Sequence, residues 1–303
     1  MSLRFPERWW AALLLIPPFA MAGAWHRDAG AVPALAAPVG RATATTAAGP
    51  APLRVCADPN NLPFSNRKEE GFENRIARVI AADLGRPLQY TWWPQQRGHI
   101  RKSLKAGACD LIPGIASSVD MVLTTRPYYR STYVFVQRAG DAAKHRVRSF
   151  DDPVLRRLTI GVQLIGDDYT NTPPAHALGR RGIVGNVRGY SVYGDYESPN
   201  PPARIMDAVE RGEVDVAVVW GPLAGWFARD AKGALVLTPV SPQVDLPFLP
   251  FVFDISMGVR RDDPATRAAL EGALARERVA IARILDEYGI PRVGAGAPPG
   301  GER

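Results

Sequence analysis

From Leu53 onward the apolar positions alternate between a strand period and a helix period. Leu53-Arg54-Val55 opens as a strand, and GFENRIARVIAADLG then sets Phe72, Ile76, Val79, Ile80 and Leu84 on one helical face before closing on Gly85. LQYTWWP predicts a strand, HIRKSLKAG a short helix and CDLIPGI a buried strand, so the rhythm is β-α-β-α-β. That order calls for a parallel sheet with helices on both faces. TTRPYYRSTYVFVQR follows as a long strand leaving this first block. A second block repeats the rhythm: LTIGVQLIG a strand, ARIMDAVERG a helix with Ile205, Met206 and Val209 inward, VDVAVVW a strand, GPLAGWFARD a helix and ALVLTPV a strand. FVFDISMGVRR returns as a strand, and PATRAALEGALARERVAIARILDEYG reads as one long helix from Pro264 to just before Gly289. The prediction is an α/β chain in two lobes, residues 53–137 plus 245–291 and residues 138–244, joined by two extended crossovers around a central cleft that can hinge.

The first residues concern the compartment. Arg4 and Arg8 precede WWAALLLIPPFAMAGA, an uncharged run ending in the small-x-small triplet Ala22-Gly23-Ala24, so residues 1–24 read as a cleavable secretory signal. The rival is a membrane anchor, against which stand a run short of the roughly 20 residues a span needs and the interruption at Pro17-Pro18. Residues 25–52, almost all Ala, Pro, Gly, Thr and Val, predict a disordered leader, and residues 292–303 a disordered tail.

Composition narrows the classes. At 303 residues with 46% hydrophobic content the chain can fill two cores. The formal charge is +7, yet its basic residues are spread among 30 acids with no basic stripe and interleaved aromatics, so nucleic acid is not an expected partner. Cys56 and Cys109 are either a disulfide, as export allows, or small buried apolar residues, and with four scattered histidines they show no metal-ligand spacing.

Candidate chemistry gathers after the first strand. CADPNNLPFSN places Asp58, Asn60, Asn61, Phe64 and Ser65 at a strand's carboxyl end, where α/β proteins hold ligands; the alternative is that Asp58 and the asparagines only satisfy turn backbone groups. Trp92, Trp93, Tyr128, Tyr129, Tyr133 and Trp220 either line the cleft or an interface or are core, since neighbours on a strand face opposite ways. Asp167 and Asp168 are a paired carboxylate site or a strand-ending turn. Glu73 fits an acid at a helix N-terminus better than a catalytic base. No Gly-rich phosphate loop, G-x-S-x-G or His-flanked nucleophile occurs, and no enzyme activity and no cofactor is expected.

These motifs in order resemble the periplasmic solute-binding proteins of the amino-acid type over nearly all of residues 53–291. The likeness rests on D-x-x-x-x-PFS, GFE opening a helix, G-x-CDLIPG and TTRPYY, and implies the two-lobed type II periplasmic binding protein fold. CADPNNLPFSN, GFENRIA, YTWWPQQRG, LTTRPYYRSTYVFV, GVQLIGDDYTNTPPAHAL and RGEVDVAVVWGP together are similar to one branch, the MxaJ- and XoxJ-type accessory proteins of pyrroloquinoline-quinone (PQQ) methanol dehydrogenases, with TWWPQ on the lanthanide-linked side.

The departures matter as much. Amino-acid binders of the superfamily carry an arginine past the third strand that forks onto the ligand carboxylate; that position is Ser118, beside Ser117. They carry an acid after the VDVAVV-like strand to hold the ammonium; here stands Trp220. A buried zwitterion without opposite charges would cost several kcal/mol, so a free amino acid is not the expected ligand. The resemblance therefore implies a periplasmic factor for assembly or activation of a quinoprotein methanol dehydrogenase, with the enzyme as partner and its cytochrome c as a further candidate. The rival function is a receptor delivering a small polar, non-amino-acid solute to an ABC transporter.

Overall fold

The computed structural model describes residues 49–165, 170–191 and 197–294, which belong to one compact unit. The signal segment 1–24, nearly all of the leader 25–52, Asp167 and Asp168, and most of the tail 292–303 lie outside the described residues.

β1 (Leu53–Ala57) is buried at four of its five positions and pairs in parallel with β2 (Leu88–Trp92) and β3 (Leu111–Ala116). α1 (Phe72–Asp83) crosses between β1 and β2 with Phe72, Ile76, Ala77, Ile80 and Ala81 buried, and Val79 and Leu84 packed at the edge of the same cluster. It closes on Gly85 at φ +61°, a left-handed angle that suits glycine. The helix expected over HIRKSLKAG is a single turn, α2 (His99–Lys102), which ends where the Ser103 hydroxyl donates to the His99 carbonyl at 2.6 Å. The chain continues through β4 (Tyr129–Arg138), α3 (Ala139–Lys144), β5 (Ile160–Ile165), α4 (Pro173–Arg180), β6 (Val187–Ser191), α5 (Arg204–Glu210), β7 (Val216–Trp220), α6 (Gly221–Asp230), β8 (Leu235–Pro239), β9 (Val252–Val259), α7 (Pro264–Arg276) and α8 (Arg278–Glu287).

β4 organises the whole. Its first four residues pair with β9, which runs antiparallel to β3 and so extends the first sheet to β2-β1-β3-β9. At Tyr133 the strand changes partners: Tyr133 to Arg138 lie between β7 and β8, and β5 and β6 continue in parallel from β7. The returning chain passes the same point, because Tyr133 N–H donates to the Phe251 carbonyl and Val240 N–H donates to the Tyr133 carbonyl. Each sheet is covered on both faces, the first by clusters around Phe72 and around Leu104, the second by clusters around Phe135 and around Val136.

Three features differ from the pattern reading. The single long helix is two, because Glu277 turns the axis (φ −90°, ψ 10°) so that Leu270 and Leu274 before the bend and Ile281 and Leu285 after it reach one core. α4 has no counterpart in the pattern reading, although Pro173 sits at the first helical position it favours. β6 reads VRGYS and is half-exposed or exposed throughout, an edge strand without a buried face to mark it. Cys56 and Cys109 resolve both halves of their alternative: they are bridged, with Cα atoms 5.5 Å apart, and both are buried in the Leu104 cluster.

Candidate functional site

The opening loop is built from its own side chains. Asp58 is buried, and its two carboxylate oxygens accept the backbone N–H groups of Asn60 and Gln95, each at 2.8 Å. Burial raises its pKa while these two amides pull it down. Ser65, also buried, donates to the Asp58 carbonyl at 2.8 Å and accepts its N–H at 3.1 Å. The pair therefore ties the loop to itself and to the segment after β2. Asn60 reaches across instead, its Nδ2 donating to the Ser198 carbonyl of the second lobe at 2.9 Å.

This loop forms one lip of a cleft of about 370 Å³ where the strands of both lobes end. Asn61, Phe64, Ala116, Phe253 and Ile255 face Tyr133, Gln163, Leu164, Thr172, Pro173, Trp220 and Leu223. Its wall is aromatic: the Trp220 ring stands edge-on to Tyr133 at 5.2 Å and to Phe253 at 5.8 Å. Gln163 fixes the floor of the second lobe, accepting the Trp220 N–H on Oε1 at 2.7 Å and the Thr172 hydroxyl on its carbonyl at 2.9 Å.

Beneath the cleft opens a recess of about 140 Å³ that shares Asn61, Phe64, Ala116, Trp220 and Ile255 with it. Glu73 stands in its wall. The residue is 3% exposed, and Oε2 has no hydrogen-bond partner among the described residues. Burial, with the charge of Asp58 beside it, raises its pKa to about 8. Gly114 lies against Oε1, and any Cβ there would overlap the carboxyl.

The residues expected from the sequence divide between this site and other places. Asn61, Phe64 and Trp220 line the cleft, and Tyr129 lines the recess while packed in the core. Asp58 and Ser65 hold the loop, the turn-satisfying alternative. Tyr128 precedes β4, and its ring packs edge-on against Tyr129 at 5.0 Å; its hydroxyl donates to the Pro113 carbonyl, and it lines a groove against α7 and α8 rather than the cleft. Trp93 follows β2 half-buried, its N–H donating to the Ala57 carbonyl, and lines neither cavity. Ser117 is absorbed at the end of β3, its hydroxyl within 2.6 Å of Ser256 Oγ, and Ser118 is exposed in the turn beyond. Gln163, Thr172, Gln95 and Phe253 were missed. A lone Gln inside LTIGVQLIG, a polar residue in an otherwise apolar strand, was the readable signal for the first. Among the described residues no group of three or more His, Cys, Asp or Glu converges on a possible metal position, and no helix is long and apolar enough to cross a membrane.

Comparison with known proteins agrees with this architecture. Residues 53–289 match the family of bacterial extracellular solute-binding proteins, family 3. Protein MoxJ of Methylorubrum extorquens strain AM1 is 34% identical over 251 residues, covering 79% of this chain and 81% of its own. The crystal structure of the periplasmic binding protein XoxJ from Methylobacterium extorquens AM1 superposes with a TM-score of 0.64 at 34% identity, covering 80% of this chain and 99% of that one. MxaJ from Methlophaga aminisulfidivorans MPT, at 23% identity, shares the fold with a TM-score of 0.66 over 80% of this chain and all of its own. The chain belongs to family 3 of the bacterial extracellular solute-binding proteins and within it is an MxaJ/XoxJ-type protein.

Proposed function

We propose that this is a non-catalytic periplasmic protein, exported through residues 1–24, that assists assembly or activation of a PQQ-dependent methanol dehydrogenase of the lanthanide-linked type. Its likeness to MoxJ and XoxJ supports the association, and the cleft supports the manner of it. The single observation that carries the reading is the aromatic wall of Tyr133, Trp220 and Phe253 in a cleft whose lining, among the described residues, includes no lysine, arginine, aspartate or glutamate. Large aromatic side chains dominate interface energies, whereas an amino-acid zwitterion needs both charges met. The cleft mouth thus suits a segment of a partner protein better than a free amino acid.

The test has two arms. The tagged mature chain, passed through a periplasmic extract, retains the dehydrogenase. Free amino acids leave its melting temperature unchanged, although a ligand at about 100 times its Kd would add roughly 2.7 kcal/mol. Retention of no dehydrogenase together with a clear shift from any standard amino acid would return the protein to the solute receptors.

A further inference from the structure

Glu73 is a polar group that the docking reading leaves without a task. It occupies the first turn of α1, where the helix dipole favours a negative charge, but the backbone amides of Phe72 and Glu73 are already given to the carbonyls of Pro63 and Phe64 at 2.8 and 3.0 Å. The residue is 3% exposed, and Oε2 is buried without a partner among the described residues. A buried carboxyl with an empty acceptor is costly and is not retained by packing alone. Gly114, with no Cβ, leaves room for that carboxyl.

The surroundings say which group would satisfy it. The recess is lined by Asn61, Phe64, Gln95, Tyr129 and Trp220 together with aliphatic residues, and among the described residues neither it nor the cleft above presents a lysine, arginine or histidine. Among the described residues the titratable groups that bear on Glu73 are Asp58 from the opening loop, Tyr128 and Tyr129 from β4 and its approach, and Tyr90 from β2, each an acid or a neutral phenol. An anion would meet repulsion from Glu73 and Asp58 with no opposite charge. A cation would find a carboxylate, the aromatic rings of Phe64, Tyr129 and Trp220, and amide oxygens.

We propose that the recess beneath the cleft is a subsite for a protonated amine, with Glu73 as its counter-ion. Occupation exchanges the proton that burial keeps on Glu73 for the ligand's charge, so binding at neutral pH expels a proton to solvent. Two sources share this chemistry, a free alkylamine and a lysine side chain entering from a docked protein, and the inference stands on the recess whether or not the dehydrogenase is the partner.

Isothermal titration of the mature chain at pH 7 separates them, with ethylammonium as one ligand and Nα-acetyl-lysine amide, whose only charge is the side-chain ammonium, as the other. Runs in phosphate and in Tris give the protons exchanged. Saturable binding of at least one ligand is expected, with about one proton released per cation bound. Glu73→Gln weakens that binding by about tenfold or more and releases none. Binding of ethylammonium identifies a free amine, and binding of the lysine derivative alone identifies a side chain. The proton count is read on the unaltered chain and stands whatever the variant's stability. Binding of neither ligand, binding without proton release, binding of ethanol, the neutral isostere of ethylammonium, as tightly as the cation, or unchanged affinity in Glu73→Gln overturns the proposal.

Discussion

At the residue scale, burial decides what the side chains of this site do. Glu73 has the helix dipole in its favour, yet desolvation, with Asp58 adding to it, raises its pKa from 4.5 to about 8. A carboxyl whose pKa is higher in the folded than in the unfolded state weakens the fold once the unfolded chain can ionise. Stability is unaffected below about pH 4.5 and declines as pH rises towards 8. Glu73→Gln removes that decline. We expect the variant to melt above its parent at pH 7 to 8, by roughly 3 kcal/mol at pH 7, with the two curves converging near pH 5. Equal melting temperatures across that range would mean that Glu73 is ionised and paired in solution. The sequence made GFE legible as a helix start. It could not show that the acid points inward, because helical position fixes direction only once the packing partners are known. The same limit applies to Tyr128 and Tyr129, whose rings pack 5.0 Å apart while only Tyr129 lines the recess.

At the element scale, strong periodicity was the reliable guide. α1, α6 and β7 begin and end within a residue or two of their apolar patterns, since each buries a full face. β6 carries no such face and escaped, and the α7–α8 bend escaped because Leu270, Leu274, Ile281 and Leu285 keep a helical spacing through it. The disulfide joins two elements of the first lobe, Cys56 in β1 and Cys109 just ahead of β3, across a sequence separation of 53. Closing a loop of that length restricts the unfolded chain by about 4 kcal/mol in the entropy treatment. The Cys56→Ser, Cys109→Ser double variant is therefore expected to melt well below the oxidised parent and to bring no change in the second lobe's own core. Free thiols titrating in the untreated, denatured parent would contradict the bridge.

At the scale of the whole molecule, two lobes share β4, and the change of partners at Tyr133 places the aromatic wall where they meet. The two-lobed order was readable from the repeated β-α rhythm and the long strand TTRPYYRSTYVFVQR. The cleft's occupant was readable only in part: Ser118 and Trp220 argued against an amino acid, while Gln163, Phe253 and the recess came from chain segments brought together by folding. Trp220 is the residue on which both the lining and the docking reading converge. It is half-buried, at the end of β7, with its ring against Tyr133 and Phe253. Loss of a fully buried tryptophan would cost about 3 to 5 kcal/mol, so its position predicts a smaller effect on folding than on binding.

The most direct measurement is the affinity of the mature chain for purified methanol dehydrogenase, taken for the parent and for Trp220→Ala alongside their melting temperatures. The variant is expected to melt within a few degrees of the parent and to be captured about tenfold or more weakly, a loss of roughly 1.4 kcal/mol. A variant that melts normally and binds the dehydrogenase as tightly as the parent would contradict docking at the cleft.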